Sequence, residues 1–310
     1  MKNYRFVIVL FIANLCFSQA DDAGFHTQDL QISKWIDGTL LVPKDVFSSK
    51  LAIIIAGSGP TDRNGNQNFL KNNSLKKLSE SLTKNGIATF RFDKRVVKQI
   101  KMGNVNKNIL FDDFVKDAID VINYFKSTEQ FSEIYIIGHS QGSLVGMIAS
   151  RENVDGFISL AGAGQNIGDV IVEQVGKTAP MLRSDTERVV NILKKGETTK
   201  DYPLALASMF NKDIQPFMIN WMSYNPTEII VNLQIPILII NGTKDLQVSV
   251  EEAKLLKNAN EKAQLSIIDN MNHVLFIIEG DDLENSKSYN EAFRNISSTL
   301  IEDITAFIKG

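Results

Sequence analysis

Glu133-Ile-Tyr-Ile-Ile-Gly138-His139-Ser140-Gln141-Gly142-Ser143-Leu-Val-Gly146 sets a short apolar run against a serine with a glycine two residues to either side. The run lacks polar alternation, as expected of a strand buried on both faces, and the segment after Ser140 is read as a helix. A serine at so sharp a strand-to-helix turn is held in strained backbone geometry. Small residues two before and two after it relieve the clashes, and the turn lifts the hydroxyl clear of the sheet. The five-residue pattern alone recurs by chance. The strand before it, the helix after it and Gly146 one turn on give it weight.

Working outward, similar Ile-rich runs occur at Leu51–Ala56, Ile87–Phe92, Gly156–Ala161, Ile235–Ile240 and Gln264–Ile268. Pro236 would sit at the start of its strand, where a missing N–H is tolerated. A hairpin-like pair near Leu30–Val42, turning at Asp37-Gly38, is expected to begin the sheet. Between the runs lie segments of helical period. Leucines 75, 78 and 82 share one face of Ser74–Asn85, and apolar positions 111, 115, 118, 119, 122 and 125 do so in Phe111–Lys126. A further helix is expected over Asn290–Lys309. Strand–helix alternation of this kind predicts a three-layer α/β domain with a mostly parallel sheet. The stretch 164–232 breaks the alternation. It holds no strand-like run and is crowded with Met181, Met209, Phe210, Phe217, Met218, Trp221, Met222 and Tyr224. It is read as a helical cap inserted into a core of 21–163 and 233–310. Met209, Phe210, Phe217, Met218 and Trp221 either fill the core of that cap or line a pocket beneath it.

Composition narrows the function classes. The chain has 310 residues, 44% hydrophobic and 22% charged, with 33 basic and 36 acidic side chains and a net charge of −3. No basic excess is present to neutralise a phosphate backbone, so nucleic acid is not an expected partner. A single Cys excludes an internal disulfide and argues against a cysteine zinc site. Lys2 and Arg5 precede an apolar stretch from Phe6 to Phe17, and Ser18-Gln19-Ala20 follows with small residues where a cleavage site needs them. This is the layout of a secretory signal peptide over residues 1–20, cleaved near Ala20. Export to a periplasmic or extracellular location is then expected, with no stable membrane insertion afterwards. The alternative is an uncleaved or Cys16-lipidated anchor, although the run is short against the ~20 residues that span a bilayer.

A reactive serine needs a base, and the chain has three histidines. His26 is close to the start of the mature chain, and His139 neighbours the serine on a turn that points adjacent residues in different directions. His273 follows the last strand-like run and can reach the sheet's C-terminal edge. The base needs an acid to hold its tautomer. Asp245, just after the Ile235–Ile240 run, is favoured over Asp269, which lies only four residues before His273. The order Ser140, Asp245, His273 is the one associated with a serine on a strand-to-helix elbow. The loop Ala56-Gly57-Ser58-Gly59-Pro60-Thr61-Asp62-Arg63-Asn64-Gly65 follows an early strand, with glycines that allow backbone to approach a substrate. The N–H groups of Ser58 and Gln141 are the expected oxyanion donors, each worth ~3 kcal/mol in a transition state. The loop lacks the Gly-Lys-Ser/Thr ending of a phosphate site. Gly162-Ala-Gly164-Gln-Asn-Ile-Gly168 looks faintly like a dinucleotide turn, but Asp185 and Glu187 beyond it lie in a helical stretch. No cofactor and no metal is expected.

Taken in order, Gly57-Ser-Gly-Pro-Thr-Asp-Arg-Asn-Gly65, Arg91-Phe-Asp-Lys-Arg95, Gly138-His-Ser-Gln-Gly142, Tyr224-Asn-Pro226 and Gly242-Thr-Lys-Asp-Leu-Gln-Val248 resemble the α/β-hydrolase superfamily. The likeness is to its capped bacterial esterases and serine-aminopeptidase-like hydrolases, and it covers nearly all of the mature chain. It implies a triad of Ser140, Asp245 and His273, an oxyanion hole at Ser58 and Gln141, and a buttressing role for Asp62, Arg63 and Asp93–Arg95. Many relatives continue past Asp-Lys-Arg with Gly and a Ser-containing turn, whereas this chain has Val96-Val97-Lys98. The activity implied is hydrolysis of a small-molecule carboxylic ester with a small or medium acyl group. An aminopeptidase or amidase is the alternative and would need an anionic site for a free amine, with Glu173, Asp185 and Glu187 as candidates. A non-catalytic binding protein of the same fold is a third possibility. Oligomeric state is left open.

Overall fold

The computed structural model describes residues 24–46 and 48–310, and the leader expected over residues 1–20 lies outside the described residues. The strands are β1 (Phe25–Gln31), β2 (Asp37–Pro43), β3 (Lys50–Ile55), β4 (Ala88–Phe92), β5 (Glu133–His139), β6 (Gly156–Leu160), β7 (Ile237–Gly242) and β8 (Gln264–Ile268). They form one sheet in the order β1-β2-β4-β3-β5-β6-β7-β8. β1 and β2 are antiparallel to each other, as are β2 and β4, and every pair from β4 through β8 is parallel.

Period-two alternation explains why these strands read as unbroken apolar runs. Leu51, Ile53 and Ile55 of β3 enter one core, while Ala52 and Ile54 enter another on the opposite face. Both faces are covered, so neither set can be polar. The first core takes Phe111, Val115 and Ala118 of α3 (Phe111–Thr128) and Leu144 and Val145 of α4 (Gln141–Ala149). The second takes Leu75, Leu78 and Leu82 of α1 (Ser74–Lys84) and Leu300, Ile304 and Ile308 of α12 (Ser298–Lys309). Between them in the chain come α2 (Arg95–Lys101), where Val96-Val97-Lys98 falls, α10 (Val250–Ala259) and α11 (Asp282–Ser288). Among the described residues no helix is long and apolar enough to cross a membrane.

Three local expectations are corrected. The β1–β2 turn occupies residues 32–36, closed by Ile32 N–H donating to the Ile36 carbonyl at 3.0 Å, and Asp37 and Gly38 are already paired in β2. Gly38 is there for space: a Cβ on it would lie 2.1 Å from Phe90 Cζ. β7 begins at Ile237, one residue after Pro236, whose carbonyl still accepts from Phe157 N–H at 3.0 Å. The last helix starts at Ser298, because the Ser297 hydroxyl caps it by accepting from Leu300 N–H at 3.3 Å. Residues 290–297 precede it as irregular chain, and Phe293 is exposed there.

Between β6 and β7 the chain is helical and contains no strand, as its composition implied. It forms α5 (Ile167–Thr178), α6 (Arg183–Leu193), α7 (Ala207–Phe210), α8 (Gln215–Met222) and α9 (Pro226–Ile230). Trp221 of α8 stacks on Phe111 of α3 with ring centroids 5.6 Å apart and an interplanar angle of 5°. Phe217 meets Phe114 edge-on at 5.7 Å. The insertion therefore shares the first core with the sheet. The strand order reverses between β3 and β5, and at such a switch point the carboxyl ends of the strands open a crevice for ligand.

Candidate active site

At that crevice β5 ends and α4 begins, with Ser140 between them at φ 53° and ψ −122°. A non-glycine residue at positive φ costs of order 1–3 kcal/mol, and persists only where its surroundings over-determine it. They do so here. Ser140 N–H donates to the Leu160 carbonyl at 2.9 Å and its own carbonyl accepts from Ser143 N–H at 2.8 Å. A Cβ on Gly138 would lie 2.2 Å from the Gly142 carbonyl oxygen, and one on Gly142 would lie 2.4 Å from that of Ile55. Backbone stands where side chains would go, which is the physical content of the Gly-x-Ser-x-Gly spacing.

His273 lies beyond β8 and Asp245 beyond β7, and the two meet: Nδ1 of the histidine is 2.8 Å from Oδ2 of the aspartate. The Asp245 side chain is completely buried, and its Oδ1 accepts from the N–H groups of Gln247 and Val248, both at 2.8 Å. A carboxylate so engaged has one oxygen left for the imidazole, so Nδ1 carries the proton and Nε2 is free to act as base. Asp269 is exposed and takes no part. Ser140 and His273 line a common cavity, and among the described residues no hydrogen bond yet joins their side chains. Such contacts are often long in the free enzyme and tighten with substrate.

Both loops are braced by α11. The buried Asn272 accepts from Val274 and Phe276 N–H and donates to Asn285 Oδ1 at 2.9 Å and Ser288 Oγ at 2.8 Å. Asn285, also buried, donates to the Lys244 carbonyl at 2.7 Å. One amide network thus fastens the neighbour of His273 to the neighbour of Asp245.

The other two histidines behave differently. His26 is exposed on β1. His139 is buried, and its Nε2–H donates to the His273 carbonyl at 2.8 Å. Burial, reinforced by the nearby His273, pulls the His139 pKa down to about 4. An unfolded histidine titrates near 6.5, so between these values the unfolded chain binds a proton that the folded chain refuses. Stability therefore falls as the pH drops through that window, by roughly 3 kcal/mol from this residue, and not further below it. His139→Gln retains a donor toward the carbonyl and shrinks the stability difference between pH 7 and pH 4, measured by urea unfolding. An undiminished difference assigns the acid sensitivity to other groups.

The N–H groups of Ser58 and Gln141 donate to no protein acceptor among the described residues, and both residues line the cavity at Ser140. Lys94, at the end of β4, lies behind them with only 7% of its surface exposed. Its ammonium donates to the Gly57 carbonyl at 3.0 Å and to Gln141 Oε1 at 2.6 Å, and sits 4.2 Å above the Phe114 ring. The Gly57 carbonyl and the Ser58 N–H belong to one peptide unit, so this contact orients and polarises that donor. Burial brings the Lys94 pKa down to about 7 against the opposing pull of Asp117. Its neighbours complete the buttress. Asp93 accepts from Arg63 backbone N–H at 2.8 Å and from its guanidinium, and Arg95 grips Asp117 through two bonds of 2.8 and 2.7 Å.

A cavity of about 460 Å³ opens from Ser140 under the insertion. Met209, Phe217, Met218 and Trp221 line it, together with Leu144, Ile167, Val170, Ile171 and Ile214. Phe210 does not. It is fully buried in the first core, one residue past Met209 on the short helix α7 and so turned away from the cavity. A second, smaller cavity meets the first at Ser58, Ser140 and Gln247 and is lined by His273. Glu173, Asp185 and Glu187 line neither: Glu173 accepts from Gln165, Asp185 pairs with Arg188 and Glu187 is exposed.

Sequence patterns did not single out Asn272 or Asn285, and gave Lys94 no more than a share in a buttress. The one available signal for Lys94 was a basic residue two positions past the end of an apolar strand.

The chain is similar in sequence and in fold to known hydrolases. The family model described as "Serine aminopeptidase, S33" matches residues 72–281. Esterase EstD of Thermotoga maritima is 24% identical over 289 residues, covering 87% of this chain and 67% of that protein. Among solved structures, Est1E from Butyrivibrio proteoclasticus superposes with a TM-score of 0.57 at 16% identity, over 92% of this chain and 99% of that one. The Pyrococcus furiosus esterase Pf2001 does so with a TM-score of 0.58 at 18% identity, over 93% and 92% respectively. These likenesses fix the fold as that of the α/β-hydrolases. With two thirds of its length matched by the family model, the chain belongs to the serine aminopeptidase family of hydrolases.

Proposed function

We propose that the chain is a serine hydrolase that cleaves neutral carboxylic esters of small to medium apolar acyl groups through an acyl-enzyme on Ser140. His273 Nε2 takes the Ser140 proton as the oxygen attacks the carbonyl carbon. The oxyanion forms against the Ser58 and Gln141 N–H groups, and Asp245 stabilises the imidazolium. The imidazolium then protonates the leaving alkoxide as the ester C–O bond breaks. Water, deprotonated by the same histidine, releases the acid.

The observation that favours an ester over an aminoacyl substrate is the lining of the 460 Å³ cavity. Its residues are apolar or neutral, with no carboxylate or ammonium among them. A free α-amino group brought there would lose its hydration without a counter-charge, at a cost of several kcal/mol. The names of EstD, Est1E and Pf2001 are consistent with ester cleavage. A panel of p-nitrophenyl acetate, butyrate and hexanoate against alanyl- and leucyl-p-nitroanilide tests the assignment. The esters are expected to have kcat/KM at least 100-fold above the anilides, and faster anilide turnover would establish an aminopeptidase instead.

A further inference from the structure

The wall of the 460 Å³ cavity holds Gln141, Gln165, Gln174 and Gln247, and the first differs from the rest. Gln165 Nε2 donates to Glu252 Oε1 at 2.7 Å and to Glu173 Oε1 at 3.0 Å, and Gln174 Nε2 donates to the Gln247 carbonyl at 2.8 Å. Gln247 is exposed. Gln141 is only 6% exposed, and its Nε2 donates to no acceptor among the described residues. Yet this nitrogen is not one of the enclosed, unpartnered side-chain atoms of the fold, so it keeps accessible surface.

Two features fix where that surface faces. The Lys94 ammonium carries donors alone, so it can meet only the amide oxygen, which it does at 2.6 Å. The planar amide then turns its NH₂ away from Lys94. On a helix, the residues three and four positions on flank a side chain. For Gln141 these are Leu144, which lines the 460 Å³ cavity, and Val145, which borders the same small gap as Lys94 and Phe114. Gln141 itself lines the 460 Å³ cavity and neither that gap nor the smaller cavity beside His273. The amide thus spans the wall, with its oxygen toward Lys94 and its nitrogen toward the cavity.

A buried donor with no protein acceptor favours a ligand that supplies one and rejects the analogue that lacks it. The cavity also selects the kind of acceptor. No lysine or arginine lines it, so a carboxylate would lose its hydration without a counter-charge. A hydroxyl would bring a donor of its own among apolar side chains. An ether or ketone oxygen brings neither difficulty.

On the esterase reading above, which seats the acyl group in this cavity, we infer that the Gln141 side-chain amide is a specificity-determining donor for an acyl chain bearing a neutral ether or ketone oxygen. Lys94, by holding Oε1, orients the donor before substrate arrives, while the Gln141 backbone N–H stays free for the oxyanion. One residue so reads both the reacting carbonyl and one further oxygen of the acyl chain.

The test moves a single oxygen along a chain of constant length. p-Nitrophenyl hexanoate is compared with the propoxyacetate, 3-ethoxypropanoate and 4-methoxybutanoate, in which an ether oxygen replaces the methylene at C3, C4 or C5. Each kcat/KM is divided by that ester's hydroxide-catalysed rate constant, which removes the inductive effect of the oxygen. The wild type is expected to favour one ether position over hexanoate by at least about fivefold, the scale of one hydrogen bond, and the other two less. Gln141→Glu keeps an acceptor for Lys94 but has no donor, and Gln141→Met has neither donor nor charge. Both are expected to bring the favoured ratio down to about twofold or less. Wild-type ratios near or below one at every position overturn the inference. So does an equal preference for all three ethers, which reports the polarity of the ester and not a fixed donor, and so does a preference that survives in either variant. The wild-type ratios decide even if the variants fold poorly. Hydrolysis of hexanoate with no ether preference removes this inference and leaves the esterase assignment intact, whereas no ester turnover and no labelling of Ser140 removes both.

Discussion

Ser140→Ala lowers hydrolysis of p-nitrophenyl butyrate by roughly 10^4- to 10^6-fold, the scale on which removing a serine nucleophile acts. The loss falls on kcat. The alanine keeps the Cβ and the positive-φ turn enforced by Gly138, Gly142 and the Leu160 carbonyl, so fold and substrate cavity persist. A small residual rate remains, because the Ser58 and Gln141 N–H groups still stabilise an oxyanion formed by attack of water. A melting temperature close to the parent's identifies the loss as chemical. A variant retaining more than about one part in a hundred of the parent's kcat would place the nucleophile elsewhere.

Lys94→Met is expected to lower kcat by roughly 10- to 100-fold with KM changed less than threefold, somewhat below the effect of deleting an oxyanion donor outright. The lysine touches no substrate. It acts through the Gly57 carbonyl and the Gln141 side chain, one contact for each proposed donor. Methionine fills the same space against Phe114 without an ammonium that burial disfavours, so stability should change little even as the donors lose their fixed orientation. The split between kcat and KM separates positioning from mere packing. A purely structural lysine would lower the melting temperature and leave kcat per folded molecule unchanged.

The sheet was legible because parallel strands covered on both faces leave unbroken apolar runs, and six such runs appear as β3 through β8. Errors fell where a residue type serves more than one purpose. Gly38 resembles a turn glycine but makes room for the Phe90 ring, and the apolar residues of 290–297 mimic a helix that starts only at Ser298. The proposed triad could be read because elimination among three histidines is severe and because each member ends or follows a strand. Met209 and Phe210 show the limit. Composition leaves both open between a core and a cavity wall, whereas adjacency on a helix turns one toward the cavity and the other into the core.

The supporting groups were illegible for a different reason. Lys94 acts on Gly57 and Gln141, 37 and 47 residues away, and Asn285 acts on Lys244 at a separation of 41. No local pattern encodes such partners. They emerge only once β3, β4, β5 and β7 place their carboxyl ends along one edge. An isolated Lys or Asn in a loop has a solvated surface role by default, and only burial reveals otherwise.

Mass mapping of the purified protein after treatment with a fluorophosphonate tests the central claim most directly. A single phosphonyl adduct on the peptide containing Ser140 is expected, formed in step with loss of ester hydrolysis and absent after denaturation. Full ester hydrolysis with Ser140 unmodified, or an inactivating adduct on any other residue, would contradict it.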